Sequence, residues 1–269
     1  MYKLIILFFL FFISFNSLNA NEITFGISSY EYVEVLNQEN KGKFFMRDKS
    51  DPRFYDVGIK NWDKGVLNNF KPAILSKFNL LYTFEYTWGE VNYLSKNGTM
   101  QKPYSKQRYE LYLSRNINEN LHLFAGAGYR YLQDNWGGRT APTITSGGGY
   151  DRHSRYTYFP IGFIYQYKNN WTLKSQYNIW GRGIQESFIG EQPSYSSYIR
   201  VVENEQKYGY GLDFSLSRKL YSNISVNTFY RFWYVDDSDW VTCTKDGSYV
   251  CQEPENETKE LGLGFSYNF

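Results

Sequence analysis

The last nine residues of the chain read Leu261-Gly262-Leu263-Gly264-Phe265-Ser266-Tyr267-Asn268-Phe269. Leucine and aromatic side chains occupy the odd positions, and glycine, serine and asparagine occupy the even ones, a pattern that extends back to Glu260. Because side chains alternate between the two faces of a strand, this stretch predicts a β-strand with one apolar and one polar face. The apolar face continues to the terminal Phe269, where a soluble domain usually ends in a polar tail.

The same two-residue period recurs upstream. In one segment Tyr82, Phe84, Tyr86 and Trp88 share one face, and threonine, glutamate and glycine share the other. This alternation is typical of strands with lipid outside and a wet interior. We therefore predict an all-β fold, a transmembrane antiparallel up-and-down β-barrel of about ten strands. The predicted strands are Glu22–Val35, Arg53–Trp62, Ser76–Leu94, Ser105–Arg115, Leu121–Gln133, Arg155–Tyr167, Trp171–Gly183, Glu205–Arg218, Ile224–Val235 and Leu261–Phe269.

The connections between the predicted strands favour one orientation in a membrane. Short turns follow strands four, six and eight, and long polar loops follow strands five, seven and nine. Bacterial barrels have short periplasmic turns, longer extracellular loops and an even number of strands. Near the start the pattern is weaker. There we predict a polar loop over Leu36–Asp51 and a connector containing Asn68, Asn69 and Pro72. Because the bounds of the first two strands are less sharply marked, barrels of eight or twelve strands are alternatives.

The first twenty residues predict a secretory signal peptide. A start with Lys3 is followed by an apolar run from Leu4 to Phe15 and by a small residue, Ala20. The apolar run is shorter than the roughly 20 residues that a transmembrane helix requires. We expect cleavage after Ala20, which divides the chain into a signal peptide, 1–20, and one outer-membrane β-barrel domain, 21–269.

Composition agrees with this interpretation. Aromatic residues make up 20% of the chain, charged residues 21%, and the net charge is +2. A transmembrane barrel has such values because only alternate strand residues meet lipid and aromatic residues collect at both interfaces. A secreted β-sandwich would share them, but the long strands, the leader and the terminal Phe269 favour the barrel. The near-neutral charge argues against a nucleic-acid partner, and we expect no cofactor and no metal.

Three segments carry a resemblance to known proteins: 128–132 (Gly-Tyr-Arg-Tyr-Leu), 150–156 (Tyr-Asp-Arg-His-Ser-Arg-Tyr) and 204–211 (Asn-Glu-Gln-Lys-Tyr-Gly-Tyr-Gly). Over strands three to ten the chain resembles a group of uncharacterised outer-membrane β-barrel proteins of Gram-negative bacteria. The resemblance implies a barrel fold and a location in the outer membrane, and it implies no catalytic residue. We further expect a monomer that contacts outer-membrane lipid and lipopolysaccharide. We expect it to be inserted by the barrel-assembly machinery, with Phe265, Tyr267 and Phe269 of the closing strand as the signal.

The polar face of the strands predicts a charged lumen. Residues of both signs would face one another across a barrel too narrow for a porin channel, so mutual pairing is their expected role. We therefore expect a structural barrel or a narrow channel for small solutes. The predicted lumen-facing residues are Glu85, Arg108, Glu110, Arg130, Lys174, Asp213, Arg231 and Glu260. On strand seven the alternation predicts that Arg182 shares a face with Lys174.

The chain has two cysteines, Cys243 and Cys251, in the predicted last loop. In an exported chain such a pair predicts a disulfide. A zinc site would need further ligands nearby, and the sequence offers none.

Enzymatic barrels provide an alternative that the motifs support poorly. Outer-membrane phospholipases and lipid A deacylases use a His-x-Ser pair, but Phe124 and Arg155 stand two residues after His122 and His153. Omptin proteases use an Asp-x-His pair facing an Asp-x-Asp pair. The chain contains Asp151 with His153 and Asp237 with Asp239, in the opposite order along the sequence. If the chain is omptin-like, these four are the catalytic residues; we expect no enzyme.

A second alternative is surface adhesion or partner binding. The loop segments Thr140–Tyr150 and Gln192–Tyr198 are rich in serine, threonine, glycine and tyrosine, a composition suited to adaptable contacts. A disulfide would stiffen the last loop. The sequence leaves structural, narrow-channel and binding roles open.

Overall fold

The computed structural model describes residues 21–36, 43–63, 77–96, 98–137, 149–168 and 170–269. The predicted signal peptide, 1–20, the predicted connector at residues 68–72 and residues 140–148 of the loop segment Thr140–Tyr150 lie outside these ranges. Among the described residues, no helix is long and apolar enough to cross a bilayer.

The described chain is almost entirely antiparallel β-structure. Its strands are β1 Asn21–Leu36, β2 Lys43–Asp63, β3 Asn79–Ser95, β4 Gly98–Asn116, β5 Leu121–Asp134, β6 Arg152–Tyr167, β7 Trp171–Ser187, β8 Val202–Gln206, β9 Gly209–Lys219, β10 Ile224–Val235, β11 Val241–Thr242, β12 Val250–Cys251 and β13 Glu255–Asn268. Strands β8 and β9 both pair with β7 and are separated by two residues, so together they fill one position in the wall. Strands β11 and β12 form a separate hairpin.

The remaining strands close into a ten-stranded barrel, as the sequence predicts. Each strand pairs with its neighbours along the chain, and β1 pairs with β13 over their whole lengths, from Glu22 opposite Asn268 to Val35 opposite Glu255. Apart from the short β8, which pairs only with β7, every described strand of the barrel is paired on both sides, as a sheet surrounded by hydrocarbon requires.

The alternation at the C-terminus sets the two surfaces of the barrel. Phe265 is 57% exposed on the outside, whereas its neighbour Ser266 is 3% exposed on the inside. The other strands continue the same exposed apolar belt, with Leu111, Ile161 and Leu216 among its members. Such a belt around a closed barrel is the lipid-facing surface of a transmembrane protein.

The two ends of the barrel differ. Short turns at residues 117–120 and 220–223 lie at one end, where Lys168, with φ 47°, allows the chain to reverse after β6. Longer connections at 188–201 and 236–254 lie at the other end, as do residues 135–137 and 149–151 between β5 and β6. By the topology of bacterial barrels, the first end is periplasmic and the second extracellular. Because a transmembrane strand needs only about 9–11 residues, β2 and β4, with 21 and 19, extend the wall beyond the membrane.

Several predictions of local structure were wrong. The predicted strand Glu205–Arg218 is divided at residues 207–208, where β8 has ended and β9 has not begun, and the closing strand begins at Glu255 instead of Leu261. Most of the predicted loop Leu36–Asp51 is strand, since β2 begins at Lys43 and pairs with β1 from its first residue. Arg182, expected on the same face as Lys174, points outward to Glu205. The register between β6 and β7 shifts at Gly181, and this extra residue inverts the alternation beyond it.

Candidate functional site

A network of buried charges crosses the middle of the lumen. Arg108 contacts both carboxylate oxygens of Asp213 at 3.0 and 3.1 Å and lies 3.3 Å from Glu110. Arg231 binds Glu85 and approaches Asp213 and Glu260, each at 3.5 Å. These contacts join strands from opposite sides of the barrel, β4 to β9 and β10 to β3. The network therefore ties the wall together across its interior.

Neutral side chains complete this network. Gln176 donates to Glu110 at 2.7 Å, Tyr158 donates to the same carboxylate at 2.9 Å, and Asn178 donates to Asp213 at 3.1 Å. Hydrogen bonds of this kind satisfy the remaining lone pairs of buried carboxylates, which would otherwise be strongly destabilised.

The other two residues of the predicted lumen set lie inside the barrel without a direct carboxylate partner among the described residues. Arg130 is 4% exposed, and its guanidinium lies 5.1 Å from the ring centre of Trp233 and 5.8 Å from that of Tyr156. Lys174 donates to the Tyr112 hydroxyl at 2.9 Å. The sequence-based set omitted Lys106, which pairs with Glu260. Lys106 lies two residues before Arg108 on the same strand, so the alternation places both on the lumen face and could have revealed it.

A second charged network, also missed from the sequence, lies nearer the extracellular end. Lys102 lies 3.0 Å from Asp48 and 2.6 Å from Asp134. Arg152 contacts Glu34 at 2.5 Å and Glu253 at 3.5 Å. It was missed because Asp48 and Arg152 were assigned to loops, whereas both lie in strands.

Aromatic side chains fill the space between the two networks. The rings of Tyr30, Phe54 and Tyr104 pack with centroids 5.0–6.0 Å apart, and the hydroxyls of the two tyrosines are 2.7 Å apart. Trp233 packs edge-on against Tyr158. These side chains belong to the buried core of the protein, so its core lies inside the barrel.

The cavities show how far the lumen is filled. Beside Arg108, Arg130 and Trp233 the free space amounts to about 10 Å³, roughly the room for one water molecule. Toward the periplasmic end it widens to about 150 Å³ and then to about 590 Å³ at the turns. The lumen is thus open toward the periplasm and closed in its middle.

Two extracellular connections, 188–201 and 236–254, form a single folded unit, which we call the loop platform. The amide of Ile199 donates to the carbonyl of Cys243 at 2.9 Å, and Tyr198 forms an isolated β-bridge with Thr244. A disulfide joins Cys243 to Cys251, whose Cα atoms are 5.7 Å apart. The platform carries exposed hydrophobic side chains, of which the most exposed are Trp240, Tyr249 and Val250.

The platform is attached to the barrel mouth through buried polar groups. Ser238 accepts a hydrogen bond from the amide of Glu253 at 2.9 Å and another from Asn204 of β8 at 3.1 Å. The Glu253 side chain joins the second charged network through Arg152, 3.5 Å away. Burial raises the pKa of Glu253 to about 8, and the neighbouring Glu34 carboxylate adds to the shift, while Arg152 opposes it. Attachment of this loop to the barrel mouth therefore favours the protonated form of Glu253.

The four omptin-like positions have separate surroundings. The ring of His153 packs against Tyr131 and Phe188, with centroids 5.6 and 4.7 Å away. His153 lies on the outward-facing side of β6, since its neighbours Arg152 and Ser154 point into the barrel. Asp151 accepts a hydrogen bond from the amide of Gly137. Asp237 accepts one from Gln252, and the exposed Asp239 pairs with Lys207.

Solved structures similar to this chain are outer-membrane β-barrels. The outer-membrane protease OmpT of Escherichia coli aligns over 93% of this chain and 97% of its own, with 11% identity and a TM-score of 0.54. The Ail protein of Yersinia pestis covers 94% and 99% with 10% identity and a TM-score of 0.36. An outer-membrane channel of Pseudomonas putida F1 covers 94% and 96% with 9% identity and a TM-score of 0.41.

No protein family matches the sequence, and no curated protein is similar to it. At this identity the likeness to OmpT shows a shared fold alone. The closed barrel and its apolar belt therefore give the molecule the architecture of an outer-membrane β-barrel. Among the described residues, no group of three or more histidine, cysteine, aspartate or glutamate side chains is arranged to hold a metal ion.

Proposed function

We propose that this protein is a closed, non-conducting outer-membrane β-barrel that holds a binding surface, the loop platform, outside the cell. The filled middle of the lumen carries the proposal. Two charged networks and a layer of aromatic rings occupy the space through which a solute would have to pass. This packing argues against the narrow channel that the sequence also allowed.

The construction of the platform supports a binding role. A loop without a function can be short, whereas here two connections are held together by backbone hydrogen bonds and a disulfide. Trp240, directly before β11, and Val250, in β12, are 52% and 56% exposed. Exposed aromatic groups on a rigid element are typical of recognition surfaces, because little conformational entropy is lost on binding.

The apolar outer face of the barrel supports a proposal about its surroundings. We propose a monomer in the outer membrane, in contact with lipid and lipopolysaccharide along the apolar belt. It would be inserted by the barrel-assembly machinery through Phe265, Tyr267 and Phe269, all of which point outward.

We also propose that the protein is not an endopeptidase. An omptin-like mechanism requires His153 to face the Asp237 and Asp239 pair across the barrel mouth and to activate a water between them. Instead, strands β7 and β8 lie between His153 and that loop in the wall, each adding about 4.8 Å. Hydrolysis of a basic peptide that His153→Ala abolishes would contradict this proposal.

The binding role is tested by display on a Gram-negative host that lacks the protein. Attachment of the cells to cultured epithelial cells and to phage particles is measured for the wild type and for Trp240→Ala/Tyr249→Ala. The matched control is Tyr221→Ala, which removes an exposed tyrosine from a periplasmic turn. We expect attachment above the empty host, lost in the platform variant and kept in the control. Attachment equal to the empty host, or unchanged in the platform variant, would contradict the proposal.

A further inference from the structure

The periplasmic half of the lumen contains a two-part cavity. Its outer part, about 590 Å³, is bordered by residues of the periplasmic turns, including Asn116, Asn170 and Asn268. Its inner part, about 150 Å³, lies deeper in the barrel. Both parts are lined by Lys60 and Ser217, so they adjoin each other. Beyond the inner part, the described lumen narrows to the 10 Å³ space beside Arg108 and Trp233.

Most charges on the wall of the inner part are already paired. Glu22 lies 3.5 Å from Lys60, and Glu85 binds Arg231. Arg108 is held by Asp213 and Glu110. Asp56 accepts a hydrogen bond from Thr87 at 2.5 Å through one carboxylate oxygen, and its other oxygen has no hydrogen-bond partner among the described residues. The cations of this wall other than Lys174 are therefore all held by carboxylates.

Lys174 is different. Among the described residues, no carboxylate oxygen lies within 4.0 Å of its ammonium group. Its nitrogen donates to the Tyr112 hydroxyl at 2.9 Å and lies over the rings of Tyr112 and Phe124, 4.7 and 5.3 Å from their centres. An ammonium group has three donors. One is used by the hydroxyl, and the side chain borders the inner cavity, where the others can meet a ligand.

We propose that this cavity binds a small anion from the periplasm, with Lys174 as the residue that contacts its charged group. A lysine is a compact point charge, suited to a single carboxylate or phosphate. Hydroxyl and amide side chains line the path to it, among them Thr24, Thr83, Ser217 and Asn227, and they suit the polar body of such a molecule. The ligand class is therefore a small, hydroxylated carboxylate or phosphate ester.

The experiment measures anion binding by the purified full-length protein in detergent, at low ionic strength. Calorimetric titrations use inorganic phosphate and acetate as probes, and glycerol as the uncharged comparison. The test variant is Lys174→Met, which keeps the length of the side chain and removes its charge. Lys174→Arg tests rescue of the charge, and Lys245→Met, in the extracellular loop platform, is the matched control for the loss of a lysine.

We expect saturable binding of at least one anion and none of glycerol. Lys174→Met should weaken it at least tenfold, while Lys174→Arg and Lys245→Met should stay within threefold of the wild type. Binding of phosphate alone, or of acetate alone, would show whether the charged group of the ligand is a phosphate or a carboxylate. Equal binding by Lys174→Met, or no saturable binding of either anion, would overturn the proposal.

A second variant tests the proposal even if Lys174→Met fails to fold. Ser217→Trp places a bulky ring where the two parts of the cavity meet and leaves every charge in place. We expect it to abolish anion binding while the barrel keeps its shift in mobility on unheated gels; unchanged binding would equally overturn the proposal. Attachment through the loop platform is independent of all these results.

Discussion

Asp213 accepts contacts from two guanidinium groups, those of Arg108 and Arg231, in the interior of the barrel. Its side chain is 8% exposed, and Gln176 and Asn178 donate to the same carboxylate. A charge buried at such a position is tolerated because its partners are in place. Removing one member leaves the others buried and uncompensated.

We predict that Asp213→Asn destabilises the folded barrel by about 3–5 kcal/mol, the usual effect of breaking a buried ion pair. The free energy of unfolding is measured by urea titration in lipid vesicles. Glu257→Gln is the control, because it disrupts an exposed pair with Lys259, 3.0 Å away, and such pairs contribute at most about 1 kcal/mol. Similar losses in the two variants would show that the lumen network does not stabilise the fold.

Gly128 illustrates how closely the lumen is packed. A Cβ atom at this position would overlap the ring of Tyr158, which is 1% exposed and held by its hydrogen bond to Glu110. We predict that Gly128→Ala destabilises the barrel by about 1–3 kcal/mol, as overpacking of a core does. At Gly58 the nearest atom, Cβ of Thr24, is 3.6 Å away, so Gly58→Ala is the control. Equal stability of both variants, measured by the same urea titration, would mean that the lumen is loosely packed.

Alternation was sufficient to predict which residues point into the lumen wherever a strand runs without interruption. Glu110 and Glu260 could be placed in this way. Arg182 could not, because the extra residue Gly181 leaves no mark in the two-residue pattern. The pairing of Arg108 with Asp213 could not be predicted either, because it depends on which strands face each other across the barrel.

At the level of elements, the strands of the membrane band were predicted best. β5, β7 and β10 begin at the predicted residues, since lipid outside and polar groups inside impose strict alternation there. The strand bounds were predicted less well on the extracellular side of the membrane. There the outer face of β2 meets water, so Lys49 is tolerated at an outward position, and the strand resembles a polar loop in the sequence.

The β11–β12 hairpin depends on its disulfide. We predict that Cys243→Ala/Cys251→Ala destabilises the platform locally by about 2–3 kcal/mol, the entropy expected for so short a closed loop. Hydrogen exchange of residues 241–251 should become faster, while exchange in β10 and β13 stays unchanged. Unchanged exchange in the hairpin would show that backbone contacts alone maintain it.

Attachment of the last loop should depend on pH. The raised pKa of Glu253 means that its proton is held more tightly in the attached loop than in the detached one. Attachment should therefore weaken as the pH rises from about 4.5 to about 8, by at most about 1.4 kcal/mol per pH unit. Hydrogen exchange of residues 236–242, corrected for the intrinsic rate, measures this, and Glu253→Gln should remove the dependence. Equal pH dependence in the variant would assign it to another group.

The whole molecule is a closed sheet with its core inside and an apolar belt outside, whereas the outer face of a soluble β-sandwich is polar. Closure by β1 and β13 was predictable from the terminal strand, because a sheet in lipid cannot leave an edge unpaired. The filling of the lumen was not, since it depends on how Tyr30, Phe54, Tyr104 and Trp233 pack in three dimensions.

Conductance in a planar lipid bilayer tests the closed barrel most directly. The refolded protein is added at high salt, beside a general porin as positive control, and its insertion is verified by the gel-mobility shift of the same sample. We predict a current equal to that of the bare bilayer at every voltage that the membrane survives. Stable, ohmic steps that scale with salt concentration would contradict the account, because they would require a continuous water path through the middle of the lumen.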